Sequence, residues 1–363
     1  MKWGRRSIGC FAGGVLLVMA TAGFAQQLPQ AARVWSVGPL TEGEPATSVS
    51  FGPDGIPVIG AKVDSQTGSA FAATRSVVLA DDRVVIGFTV SEPGAKQVYK
   101  VLSLDVATAE IKDSRVFEDF GVRAIFATND AHVVVAGNRL LRLTAELADD
   151  GDLDYQATGH TAARVQNMAP DGSTLGDATN PGFALIDART LKVTELTADP
   201  AVDTSVSRRG FVTDNVRWNR DYPGDSSFIT YTDSAGRHVI YHGKCGGRPQ
   251  FLTDDLVLEQ GCKGALIVDS TGKLVRTLPV TGAFSFAGVS RNGRRFALQV
   301  VSSAGMRLVK HESFVVYSVG SGEAIAEIVP EELAVQQSWT AFSEDGSMFV
   351  VGSPLKLTLY RLP

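Results

Sequence analysis

The chain has 363 residues, 44% of them hydrophobic and 20% charged, with 37 glycines and 15 prolines, a composition that excludes a disordered, collagen-like or polytopic membrane protein. A formal net charge of −5 provides no electrostatic footprint for wrapping nucleic acid. Glycine at this frequency points instead to a chain with many turns.

The first 25 residues read as a removable leader. Lys2, Arg5 and Arg6 form a cationic head, and Ile8 to Met19 is mostly apolar. Ala20-Thr-Ala-Gly-Phe-Ala25 then places the small residues Gly23 and Ala25 just before Gln26, the layout of a bacterial-type signal peptide. Cys10 lies inside the apolar stretch rather than just after it, which argues against lipid anchoring there. The residues around Arg5-Arg6 fit a twin-arginine signal poorly. No second apolar run approaches the roughly 20 residues that a membrane-spanning helix needs. The sequence therefore predicts a signal peptide over 1–25 and a single domain over 26–363. That domain is expected to be exported, periplasmic or secreted, with no stable membrane anchor.

Beyond residue 30 helical periodicity is nearly absent. Ala324 to Leu333 is the best helical candidate, and Pro330 interrupts it. Short β-branched and aromatic runs dominate, such as Arg83-Val-Val-Ile-Gly-Phe-Thr-Val90, Ala131-His-Val-Val-Val-Ala136 and Arg295-Phe-Ala-Leu-Gln-Val-Val301. Gly, Asp, Asn and Ser separate them, which is strand chemistry with turn punctuation.

A hairpin unit recurs along the chain: strand, a polar residue able to start a turn by bonding its own backbone, a short tip, and a returning strand. The turn starters are Asp105, Thr144, Asp187, Asp233, Asp269 and Ser318, spaced 39, 43, 46, 36 and 49 residues apart. A period near 40–45 residues with four strands per unit is the signature of propeller blades. The second hairpin of each blade comes from the preceding segment, as at Asp171-Gly172, Asn292-Gly293 and Asp345-Gly346, where glycine supplies a tight reversal. The last unit contains only three strands, and Arg33-Val-Trp-Ser-Val37 is a lone strand near the start. Pairing the two would complete a blade and remove two exposed sheet edges. The fold expected is all-β: a seven-bladed β-propeller of four-stranded blades, closed by an N-terminal strand that completes the C-terminal blade. Thr47-Ser-Val-Ser-Phe-Gly-Pro-Asp54-Gly reads as an additional hairpin, which leaves eight blades as the alternative.

On these patterned hairpins, from about Arg33 to Leu362, the sequence resembles the WD40/YVTN-like class of bacterial seven-bladed β-propellers. No blade carries the Trp-Asp strand ending or Gly-His opening of true WD40 repeats, so a WD40-type partner is not implied. The resemblance implies ligand contacts at a mouth of the central channel, spread over connecting loops.

Individual constellations carry little recognisable chemistry. Asp150-Gly-Asp152-Leu-Asp154 opens like a calcium loop, but Tyr155 and Thr161 stand where glycine and glutamate are needed; an exposed acidic turn is the expectation, with His160 and Arg164 close enough for local ion pairs. Thr213 to Asp225, between two predicted strands, carries Arg217, Trp218, Arg220 and Tyr222 among acidic residues. Arg, Trp and Tyr are the types that dominate binding hot spots, and these four are the candidate ligand or partner contacts; a loop pinned by Trp218 on the blade is the competing reading. Arg208-Arg209, just upstream, would add positive potential unless simply solvated. His238 and His242 are read as surface positions on one face of an outer strand, roughly 13 Å apart at about 3.3 Å per residue and too far to share a metal. Cys245 and Cys262, with 16 residues between them, are expected to form a disulfide in an oxidising compartment. Gly288-Val-Ser-Arg-Asn-Gly293 lacks nucleophile-elbow spacing and reads as a hairpin, and there is no His-Glu-x-x-His helix.

The functional expectation is an exported, monomeric scaffold that binds an unidentified protein or small-molecule ligand, with no catalytic set, metal or cofactor. The alternative is an extracellular propeller enzyme resembling a lactonase-like hydrolase or a quinone-dependent dehydrogenase, whose channel residues a single sequence cannot assemble.

Overall fold

A computed structural model describes residues 28–37, 49–51, 57–59, 75–90, 98–118, 124–154, 165–178, 183–197, 204–214, 227–243, 249–261, 264–280, 282–303, 309–330, 339–352 and 356–363. Among them every regular element is a β-strand. Strand β1 (Ala32–Val37) is followed by a short hairpin, β2 (Val49–Phe51) and β3 (Pro57–Ile59). Blade 1 is β4 (Arg75–Ala80), β5 (Arg83–Val90), β6 (Val98–Asp105) and β7 (Ile111–Glu118). Blade 2 is β8 (Ala124–Ala127), β9 (Val133–Ala136), β10 (Leu140–Leu143) and β11 (Asp149–Leu153). Blade 3 is β12 (Val165–Met168), β13 (Thr174–Ala178), β14 (Phe183–Asp187) and β15 (Val193–Thr197). Blade 4 is β16 (Thr204–Val206), β17 (Gly210–Asp214), β18 (Ser227–Asp233) and β19 (Gly236–Gly243). Blade 5 is β20 (Gln250–Thr253), β21 (Leu256–Gly261), β22 (Gly264–Asp269) and β23 (Leu274–Leu278). Blade 6 is β24 (Ala283–Val289), β25 (Arg295–Ser303), β26 (Val309–Ser318) and β27 (Ala324–Ile328). The segment with the best helical pattern thus begins as a strand.

Each of these sheets is an antiparallel meander, and the last blade closes the ring. It runs β28 (Trp339–Phe342), β29 (Met348–Gly352), β30 (Leu357–Arg361), then β1 as its fourth strand. β1 pairs with β30 antiparallel, Ala32 opposite Arg361 and Val37 opposite Leu357. The Ser36 and Thr358 hydroxyls meet at 2.9 Å. Residues before β1 also reach blade 6, where the Ala31 N–H donates to the Glu327 carbonyl and the Glu327 N–H to the Pro29 carbonyl. The hairpin β2–β3 is a separate two-stranded sheet and not an eighth blade.

The core explains why so many strands read as continuous apolar runs rather than alternating ones. Successive side chains on a strand point to opposite faces, and a blade is covered on both faces by its neighbours. Val77 and Leu79 of β4 pack toward blade 7 with Val350, Leu357 and Leu359. Val78 and Ala80 of the same strand pack toward blade 2 with Val133, Val135 and Leu143. Seven buried clusters result, one between each neighbouring pair of blades, including the closing pairs 6–7 and 7–1. A ring of seven interfaces for seven blades is the physical content of closure.

Candidate functional site

Antiparallel order sends the turn between strands one and two of each blade, and that between strands three and four, to the same end of the ring. All the connections at this end are of five residues or fewer. The third-to-fourth turns are built by the residues the repeat singled out. Asp105 Oδ1 accepts the backbone N–H groups of Ala107 and Thr108, each at 2.9 Å. Asp187 does the same for Arg189 and Thr190, and Asp269 for Thr271 and Lys273. Such bonds favour the ionised carboxylate. The backbone bond from Thr108 leads in holding Asp105 below the usual carboxylate range. For Asp187 burial pushes upward, but the bonds from Thr190 and Arg189 outweigh it.

These turns also stitch blade to blade. Trp35 Nε1 of β1 donates to the Val106 carbonyl of blade 1 at 2.8 Å. The Ser103 hydroxyl and Arg115 Nη1 of blade 1 donate to the Ala145 and Leu147 carbonyls of blade 2. Arg142 of blade 2 reaches the Ala188 carbonyl of blade 3, and Arg276 of blade 5 the Gly320 carbonyl of blade 6. In each case a side chain supplies the donor that a carbonyl on the next blade's turn would otherwise take from water.

Nearer the axis, the first-to-second turns form a collar. The Asn129 N–H of blade 2 donates to the Gly172 carbonyl of blade 3 at 3.2 Å. Arg208 of blade 4 lies between Asp171 of blade 3 (3.2 Å) and Asp254 of blade 5 (2.5 Å). Asn292 of blade 6 donates to the Glu344 and Asp345 carbonyls of blade 7. Gly172 has φ +73°, and a Cβ there would lie 2.9 Å from both the Asn129 nitrogen and Arg291 Cδ, so the collar's closeness depends on glycine.

Blade 2 holds the densest charge network. Arg142 sits in an otherwise apolar strand, Leu140-Leu-Arg-Leu143, and is only 4% exposed. Its Nε donates to Asp150 at 2.7 Å, and its Nη2 to Asp130 at 2.6 Å. Burial pushes the Asp130 carboxyl upward, but the bonds from Arg142 and the Thr128 hydroxyl outweigh it and bring the pKa down to about 2. His132 Nε2 lies 3.2 Å from Asp150 Oδ2. The network was not singled out from sequence, although a charge flanked by leucines in a short apolar strand is its signal: such a position is buried, and a buried charge needs partners.

Several sequence expectations resolve at this end. Asp149 to Leu153 is the outer strand β11 and not an acidic turn; its carboxylates pair with Arg115, Arg142 and Arg139, while His160 and Arg164 lie outside the described residues. Arg208 and Arg209 are engaged by Asp254 and Asp255, which consumes the positive potential foreseen for them. His238 and His242 do not share a face. An irregularity at Ile240 sets His238 opposite Tyr231 and His242 opposite Phe228, three residues apart on the partner strand and so on opposite faces. Ser290 to Arg294 is the expected hairpin turn between β24 and β25.

The opposite end carries the second-to-third connections and those between blades, which are far less uniform: two residues at 262–263, but 12 at 215–226 and 10 at 329–338. The four candidate contacts Arg217, Trp218, Arg220 and Tyr222 fall in the 12-residue connection and lie outside the described residues. Its flanking strand ends, Asp214 and Ser227, are at this end, so Arg208 and Arg209 are separated from it by the length of β17. Cys245 and Cys262 also lie outside the described residues. Among those described, no group of three or more His, Cys, Asp or Glu is placed to hold a metal ion. The chain matches no model of a protein family, and no curated protein matches it, so the likeness to WD40/YVTN-like propellers rests on architecture.

Proposed function

We propose that the chain is an exported binding scaffold that recognises a protein or small-molecule ligand at the end of the ring opposite the collar, with Arg217, Trp218, Arg220 and Tyr222 as its principal contacts. One observation carries this reading: the two ends of the ring are built differently. At the collar end every connection is short, and the charged residues Arg208, Arg209 and Arg142 are paired with carboxylates. At the other end connection length varies from blade to blade, and loops on a rigid scaffold are where recognition is carried.

The experiment compares the wild-type chain, a variant with all four candidate residues changed to alanine, and a collar control, Arg209→Ala, as baits in quantitative affinity capture from a bacterial extract. Captured species are then measured by titration against the purified baits. The reading expects one ligand to be lost tenfold or more by the quadruple variant and held unchanged by the collar control. Equal affinity for all three baits refutes the assignment of the site.

A further inference from the structure

Arg291 stands on the β24–β25 turn of blade 6, yet its side chain crosses the middle of the collar. Nη1 donates to the Leu79 carbonyl of blade 1 at 2.6 Å. Nη2 lies 3.6 Å from Glu344 Oε2 of blade 7. Cδ lies so near Gly172 of blade 3 that a Cβ there would approach it to 2.9 Å. One guanidinium, its side chain only 9% exposed, is thus surrounded by blades 1, 3, 6 and 7.

A guanidinium presents Nε–H and one Nη2–H in parallel along one edge, spaced for two oxygens of a carboxylate or phosphate. In Arg291 that edge lacks its oxygens. Buried Nε has no acceptor among the described residues, and the 3.6 Å to Glu344 exceeds hydrogen-bond distance. Arg142, buried to a similar degree, has acceptors for Nε, Nη1 and Nη2 alike. The contrast matters because a buried cation is costly unless its charge and its donors are met. Glu344 is itself 64% exposed, so it stands over the edge without being held there.

We propose that the Nε–Nη2 edge of Arg291 is a binding site for an oxyanion, a phosphate or carboxylate group that approaches the collar end and displaces the Glu344 side chain to form the bidentate pair. Burial pulls the Arg291 pKa down and outweighs the opposing effects of the Glu344 and Asp81 carboxylates, and a bound anion would add to their side by favouring the charged form. The site is at the end of the ring opposite residues 215–226 and does not depend on the function proposed for them.

The test titrates the full chain with inorganic phosphate and, separately, with acetate, at ionic strength held constant with sodium chloride, and follows calorimetric heat and melting temperature. Saturable binding of either anion at millimolar concentration is expected, phosphate alone marking a phosphate ligand and acetate a carboxylate one. Arg291→Lys keeps the charge but loses the fork, and should abolish saturation. Glu344→Gln removes the competing carboxylate and should lower the half-saturating concentration by about threefold, the size of one partly exposed ion pair. No saturable response in the wild type, an unchanged response in Arg291→Lys, or equal or weaker binding in Glu344→Gln overturns the proposal. Should Arg291→Lys fail to fold, the direction of change in Glu344→Gln decides alone.

Discussion

Ring closure through β1 makes a quantitative demand on Trp35. Its indole packs against the cluster that joins blades 7 and 1, and its N–H donates to the Val106 carbonyl across that junction at 2.8 Å. A buried tryptophan removes 150–250 Å² from water; Trp35 is half-buried, so about 100 Å² at roughly 25 cal/mol per Å² gives about 2.5 kcal/mol. The hydrogen bond adds about 1 kcal/mol net. Trp35→Ala should therefore cost about 3 kcal/mol, and Trp35→Phe, which keeps most of the area but not the donor, about 1–1.5 kcal/mol. Val34, the preceding residue, is exposed, and Val34→Ala should stay within about 0.5 kcal/mol. Equilibrium urea unfolding followed by far-UV circular dichroism measures all three, with the denaturant slope showing whether the transition stays cooperative. If Trp35→Ala costs no more than Val34→Ala, β1 does not hold the ring in the way described.

Two further outcomes follow from local geometry and a third from the sequence. Asp130, with a folded pKa of about 2 against about 3.9 unfolded, contributes roughly 2 kcal/mol above pH 4, less some solvent screening, and this is lost as the pH falls from 4 toward 2. Asp130→Asn should lower stability at neutral pH and flatten that acid limb in urea unfolding at pH 5, 4 and 3, whereas parallel limbs in variant and wild type would count against the network. Ala131 has φ 61°, a conformation that costs a non-glycine residue about 1 kcal/mol. Ala131→Gly should leave the urea midpoint unchanged or raise it, and Ala131→Val should lower it by about 1–2 kcal/mol equivalent; a tolerated valine would contradict the backbone. The proposed Cys245–Cys262 bridge predicts no alkylation of either thiol in intact-mass analysis of denatured, unreduced protein, and a loss of about 3 kcal/mol when both become serine. Two alkylated thiols would remove it.

The architecture was legible because a propeller writes its turns locally. Asp105, Asp187, Asp233 and Asp269 each bond backbone groups two to four residues ahead, so a polar residue ending an apolar run reports the hairpin without knowledge of anything distant. Closure was legible for a related reason: three strands after Glu331 and one unpaired strand at Arg33 leave one economical pairing. The polar networks were not. Arg142, Asp130 and Asp150 come together only once strands β10 and β11 and the turn before β9 are folded. His238 and His242 are exposed on the outer strand β19 as expected, but their shared face was lost to a single extra residue in β19, which flips the face of all that follows it. Arg291 looked like one residue of a hairpin tip, and nothing near it in sequence signals that blades 1, 3 and 7 converge on its side chain.

Separating closure from recognition determines what substitutions at each end can do. At the collar, side chains such as Arg208 and Asn292 tie neighbouring blades through bonds whose partners lie 46 and 53 residues away, so most changes there are felt as lost stability. At the opposite end β17 and β18, which residues 215–226 connect, are held by pairing with each other and with β16 and β19. Arg291 breaks this division, since it lies in the stitched end yet leaves a fork edge unfilled. The two proposals are therefore separable in one set of variants. Changing Arg217, Trp218, Arg220 and Tyr222 should abolish capture of a ligand while leaving the phosphate response intact, and Arg291→Lys should do the reverse. A variant from either set that removed both responses at unchanged stability would mean that the ends communicate, and the independence of the two proposed sites would be wrong.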